Sequence, residues 1–195
     1  MISAKLGHFL DRPLEPIAKR IRLTPNFFTI TGFIVTVIGA ITIVAYDPVA
    51  GGFIILLGGA LDVLDGVVAR TNGLVTKFGA FLDSVLDRYS DAVVFLAIAL
   101  YMHLQGKQIG VYLSLFVLVG ALLISYARAR AEALGISCHT GLMERPERVI
   151  LTTFACLTGY FIPVLWILCI LTHITVIQRV VHVRKISIVN KEGTQ

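Results

Sequence analysis

The chain has 195 residues, 56% of them hydrophobic and 15% charged, with a mean hydropathy of +0.84. Soluble domains carry about 25% charged residues, so disordered chains, collagens and most soluble enzymes are excluded and an integral membrane protein remains. The net charge of +5 then points to anionic lipid or an anionic substrate, not to nucleic acid.

In chain order, Ile2, Leu6, Phe9, Leu10, Leu14, Ile17 and Ile21 recur at helical spacing, with Lys5, Arg12, Lys19 and Arg20 between them. Residues 1–24 therefore read as an interfacial amphipathic helix interrupted by Pro13 and Pro16. They have no continuous apolar stretch of the kind a signal peptide needs. A membrane span takes about 20 mostly apolar residues. Apolar runs follow at Phe27–Tyr46, Val49–Ala69, Ala80–Gln105, Ile109–Ala127, Val149–Ile162 and Val164–Val183. The fifth is short, but Pro146 suits a first helical turn and extends it towards Arg145, while Pro163 separates it from the sixth. The expected fold class is all-α, a polytopic membrane protein of six transmembrane helices. Residues 25–185 form the membrane domain and 186–195 a cytoplasmic tail. Cys138, Cys156 and Cys169 form no CxxC pair, so no disulfide framework or cysteine zinc site is expected. The histidines His8, His103, His139, His173 and His182 show no ligand spacing either.

Sixteen of the seventeen lysines and arginines fall on one side of this map, and Lys107 alone falls on the other. An even number of spans with both ends on the basic side is self-consistent. The positive-inside rule then places both termini, and any site beside those basic residues, on the cytoplasmic face of the cell membrane.

Asp62 and Asp65 end the second apolar run, and Asp83, Asp87 and Asp91 begin the third. Acids within spans are costly and mark functional sites. The spacings i, i+3 and i, i+4 put each pair on one helix face. The short link from Arg70 to Phe78 makes the second and third helices antiparallel neighbours, with both pairs at the cytoplasmic end. Four converging carboxylates need cations, and all-oxygen ligation suits magnesium or manganese. Two such ions are a recurrent device for displacement at phosphorus. Gly66 clears space for a ligand to approach, and Arg70 reaches the same mouth. The competing account is a set of structural ion pairs with Arg70 or Arg88, but the acids outnumber those partners. An ion transporter using intramembrane aspartates is the alternative from another class. It would place its acids near the midplane rather than at one face.

Written out, the segment is Asp62-x2-Asp65-Gly66-x2-Ala69-Arg70-x8-Gly79-x3-Asp83-x3-Asp87. It resembles the CDP-alcohol phosphotransferases at every fixed position and gap, and the resemblance spans nearly the whole chain. It implies an enzyme that displaces CMP from a CDP-linked donor with an acceptor hydroxyl. Asp62, Asp65, Asp83 and Asp87 would hold two magnesium or manganese ions, and Asp87 would act as general base. Gly66, Arg70 and Gly79 would line the CDP site, together with Thr76. Thr24-Pro25-Asn26-Phe27-Phe28 resembles the family segment that helps hold the nucleotide, although Thr-Pro-Asn is also an ordinary helix start. A homodimer is implied by the resemblance alone.

The acceptor is read from Ser125-Tyr126-Ala127-Arg128-Ala129-Arg130-Ala131-Glu132-Ala133 and from Glu144-Arg145-Pro146-Glu147-Arg148. Arg128, Arg145 and Arg148 gather charge on the catalytic side. A phosphorylated acceptor needs such a clamp, because arginine matches phosphate oxygens bidentately. Serine or choline does not need one. The positive-inside rule alone also accounts for arginines here. Within the family these segments look most like the phosphatidylinositol phosphate and archaetidylinositol phosphate synthases. That likeness implies inositol 1-phosphate as acceptor and CDP-diacylglycerol or CDP-archaeol as donor. There the first basic position of the patch is commonly lysine, and here it is Arg128. A glycerol 3-phosphate acceptor and a CDP-inositol donor are the neighbouring alternatives.

Overall fold

The computed structural model describes Glu15, Pro16, Ala18, Lys19 and residues 23–192. The expected amphipathic segment falls almost wholly outside these residues. Six helices follow one another: α1 (Pro25–Ala45), α2 (Pro48–Thr71), α3 (Lys77–Leu104), α4 (Gln108–Ala133), α5 (Arg145–Thr158) and α6 (Phe161–Glu192).

Local chemistry sets the boundaries. The Asp47 carboxylate accepts from Val49 N at 3.2 Å and Ala50 N at 3.0 Å, and Pro48 occupies the first turn of α2. Both satisfy or remove amide donors that a helix start leaves orphaned. Thr76 Oγ1 caps α3 by accepting from Gly79 N at 2.9 Å. Glu144 and Glu147 close a reciprocal capping box on α5, with Pro146 in its first turn, which fixes its start at Arg145 as expected. Its end differs from expectation. Gly159, at φ 75°, terminates α5, and Pro163 lies in the first turn of α6, where proline costs no hydrogen bond. The helix also runs on to Glu192, well past the Val183 expected from hydropathy.

Among the described residues, four helices are long and apolar enough to cross a membrane: α1, α2, α4 and α6. The 28-residue α3 carries Lys77, Asp83, Asp87 and Arg88 in its first half and Asp91 at its middle, and α5 has only 14 residues. Polarity is distributed inside out. Ile30, Ile34, Ile38 and Ile41 form an exposed stripe on α1, and Ile167, Ile170, Ile174 and Ile177 another on α6. Thr36, Ser114, Thr152, Thr172 and Thr175 are buried. In lipid the polar groups must be satisfied internally while apolar side chains face outward.

Glycine permits the closest helix pairing, α1 against α2. A Cβ on Gly51 would lie 2.8 Å from Gly39 O, and one on Gly39 would lie 3.0 Å from Gly51 O. The backbones therefore touch, as small residues allow in membrane helix pairs. A core of Phe95, Ile98, Met102, Val117, Leu165 and Leu168 joins α3, α4 and α6. The second and third helices are not the packed neighbours expected. Each packs on α1, while α2 also meets α5 and α3 meets α4. The gap between α2 and α3 is where the carboxylates project.

Candidate active site

Helices α2 and α3 bring three acids together. Carboxylate oxygens of Asp62, Asp83 and Asp87 lie within 4.8 Å of one another, all half-buried. Asp65 stands outside this trio, 7% exposed, and accepts a 2.6 Å hydrogen bond from Thr29 Oγ1 of α1. That contact fixes its orientation and gives Thr29 a site role that helix spacing alone did not reveal. Thr36, by contrast, donates to Gly32 O at 2.9 Å within its own helix and serves packing.

From the other side, Arg145 at the start of α5 inserts its guanidinium among the acids. It pairs with Asp62 and lies 2.6 Å from Asp87 Oδ1, out of hydrogen-bonding alignment with the latter. Even so, the acids exceed the positive charge at the cluster. An all-oxygen donor set of this kind fits a hard divalent cation such as magnesium or manganese.

Two cavities with no lining residue in common meet the cluster. The first is an open cleft that reaches Asp65 and Asp83. Pro25, Asn26, Gly66, Arg70, Thr76 and Gly79 all line it, which brings six of the eight residues expected at the nucleotide site together. Phe27 and Phe28 do not line it. Phe27 is exposed, and Phe28 packs against Val67 and Val68. The two glycines have visible purposes. A Cβ on Gly66 would come within 3.0 Å of Arg70 Nη1, and one on Gly79 would press Thr76 Oγ1 at 2.9 Å and Asn26 Oδ1 at 3.0 Å.

The second cavity, also open, reaches the cluster at Asp87 and is walled by Arg88, Arg128, Arg145, Arg148 and Arg179. The three expected arginines are thus brought to one space. Arg148 is buried and bonds Asp91 at 2.5 Å, while Arg128 pairs with Glu132 at 2.9 Å on the exposed rim. Among the described residues, Arg145 Nε, Arg148 Nε and Glu144 Oε2 are buried with no hydrogen-bond partner. Arg179 is a cavity residue that the sequence did not single out. It lies inside α6, 3% exposed, and donates to Thr140 O at 2.9 Å and Ile124 O at 2.5 Å.

A helical bundle with membrane-length apolar helices and a carboxylate cluster between two clefts, one of them lined with arginines, defines a class: membrane enzymes that act at phosphorus with divalent cations. The chain belongs to the CDP-alcohol phosphatidyltransferase family, whose model matches residues 22–183, and is a transferase of that family. It is 38% identical over 180 residues to the archaetidylinositol phosphate synthase of Methanothermobacter thermautotrophicus, covering 89% of this chain and 90% of that protein. It is 35% identical over 187 residues to the phosphatidylinositol phosphate synthase of Mycolicibacterium smegmatis, covering 90% and 84%. The phosphatidylinositol phosphate synthase of Mycobacterium tuberculosis with CDP-DAG bound superposes with a TM-score of 0.77 at 35% identity, covering 88% of this chain and 94% of that one. The same enzyme with manganese and citrate gives 0.76 at 32% identity, covering 89% and 88%.

Proposed function

We propose that the chain transfers the phosphatidyl group of a CDP-linked lipid, CDP-diacylglycerol or CDP-archaeol, to the hydroxyl of inositol 1-phosphate, releasing CMP. The observation that carries this reading is the second cavity. Its wall gathers Arg88, Arg128, Arg145, Arg148 and Arg179, a concentration of guanidinium charge that suits a doubly charged phosphate and not a neutral alcohol. Relatives named for inositol phosphate lipids support the same acceptor.

In this reading Asp62, Asp65, Asp83 and Asp87 hold two divalent cations, which offset the diphosphate charge and stabilise CMP as it leaves. Pro25, Asn26, Gly66, Arg70, Thr76 and Gly79 hold the nucleotide half of the donor. Arg128, Arg145 and Arg148 hold the acceptor phosphate and so aim its hydroxyl at the cluster. Asp87 takes the hydroxyl proton as the oxygen bonds to the lipid-bearing phosphorus. The bond from that phosphorus to the CMP oxygen breaks, and CMP departs with the pair. All six helices cross or enter the bilayer, both termini and the site face the cytoplasm, and the working unit is a homodimer.

The experiment is CMP release in detergent with magnesium and either CDP-lipid, comparing inositol 1-phosphate, glycerol 3-phosphate, inositol and serine, for the parent chain and for Asp87→Asn. Release with inositol 1-phosphate alone, falling by about 10²- to 10⁴-fold in the variant, is expected. Release with glycerol 3-phosphate instead would discard the acceptor, and an active Asp87→Asn would discard the base.

A further inference from the structure

Asp83, Asp87 and Asp91 stand at successive turns of α3, yet the aspartate pattern ends at Asp87. Asp91 is 7% exposed and Arg148 is 3% exposed, with Arg148 Nη2 at 2.5 Å from Asp91 Oδ2. No other ion pair of Asp91 occurs among the described residues. A buried ion pair loses much of its Coulomb gain to desolvation, and an apolar pair could tie α3 to α5 at less cost. The charges therefore need another reason. Asp91 and Arg148 both line the arginine-walled cavity. Both, together with Arg145, also line a smaller cavity beside Thr36, Ser90 and Thr152, so the pair lies where the two meet. With Nη2 taken by Asp91, the Nε edge of Arg148 is buried without a partner.

We infer that Asp91 is a positioning residue for the acceptor: by engaging Nη2 of Arg148 it holds that guanidinium in the cavity wall for the acceptor's phosphate. The inference rests on the proposed phosphorylated acceptor. Arg148 is a long side chain with many rotamers, and an acid fixed on the opposite helix selects one before substrate arrives. Asp91 touches neither substrate nor cation in this role.

The test measures acceptor KM and donor KM on the same detergent preparations of the parent, Asp91→Asn, Arg148→Gln and the double variant. Expected for Asp91→Asn is a rise in acceptor KM of about tenfold, the size of a lost charge-assisted hydrogen bond, with donor KM within about twofold of the parent. In the Arg148→Gln background the Asp91 change should add little, because both act on one contact. A purely structural pair would move both KM values, or neither, and that result overturns the inference. Should Asp91→Asn fail to fold because Arg148 is left with an uncompensated charge, Asp91→Glu, which keeps the charge and moves it, decides: raised acceptor KM with donor KM kept supports the role, and unchanged acceptor KM overturns it. A parent that uses only unphosphorylated alcohols overturns the acceptor reading and this role together. A parent that uses inositol 1-phosphate while Asp91→Asn leaves its KM alone overturns the role of Asp91 only.

Discussion

At Arg145 one guanidinium touches two of the carboxylates proposed to hold cations, Asp62 and Asp87, and also walls the acceptor cavity. A fixed positive charge a few ångströms from a cation site opposes binding there, by about 7 kcal/mol for a divalent cation at 5 Å with an effective dielectric near 20. Arg145→Gln should therefore bind manganese more tightly, by about tenfold or more, in a direct titration of the purified protein, while its acceptor KM rises. Unchanged manganese affinity would mean that the guanidinium does not compete with cations in solution. Residue-scale chemistry was the most legible part of the chain. Asp62, Asp65, Gly66, Arg70, Gly79, Asp83 and Asp87 stand at fixed spacing on two helices, and short-range spacing is read directly from sequence. The Thr29–Asp65 hydrogen bond joins residues 36 positions apart, and no local pattern carries it. Arg179 was hidden for a related reason: near the end of an apolar run an arginine reads as a snorkelling anchor, and only the continuation of α6 to Glu192 reveals it as interior.

At the scale of elements, the α1–α2 pair depends on the absence of side chains at Gly39 and Gly51, and α1 in turn carries Asn26 and Thr29 to the nucleotide cavity. A Cβ at Gly51 meets backbone on the facing helix, which cannot yield as a flexible side chain would. Gly51→Val should lower stability by about 1–3 kcal/mol through overpacking, seen as an earlier melting transition in detergent. Ala50→Val, on the exposed face, is the matched control and should melt with the parent. Equal melting of the two would show that the helices do not need this approach. Helix existence was legible from hydropathy and capping residues, and ends were less so. Gly159 and Pro163 both punctuate the α5–α6 junction. The left-handed glycine won, since proline is tolerated in a first turn. The separation of α2 from α3 was also out of reach, because a short link fixes where helices start and not which neighbours they pack on.

For the whole molecule, lysine and arginine asymmetry supports two cytoplasmic termini, with the α3–α4 link at Gln105–Lys107 on the far side. Single cysteines introduced at Lys107 and at Arg130 into a cysteine-free parent should react oppositely with a membrane-impermeant maleimide in intact cells, the first labelling and the second protected. Labelling of Arg130→Cys alone would invert the orientation, and labelling of both would break the proposed topology. The inside-out distribution of threonine and isoleucine agrees with immersion in lipid. Four helices meet the requirement for a span by composition. The other two, α3 and α5, are the ones that carry the acids and arginines. Function and hydropathy compete for the same residues there.

The two cavities have separate linings, and their edges on α3, Asp83 and Asp87, are one helical turn apart. On the proposed reading, nucleophile and departing nucleotide therefore occupy different compartments at the same moment, and no side chain needs to carry the lipid phosphate between them. Such a reaction is a single displacement. The phosphorus turns over like an umbrella, so a donor made chiral at that atom would give product of the opposite hand.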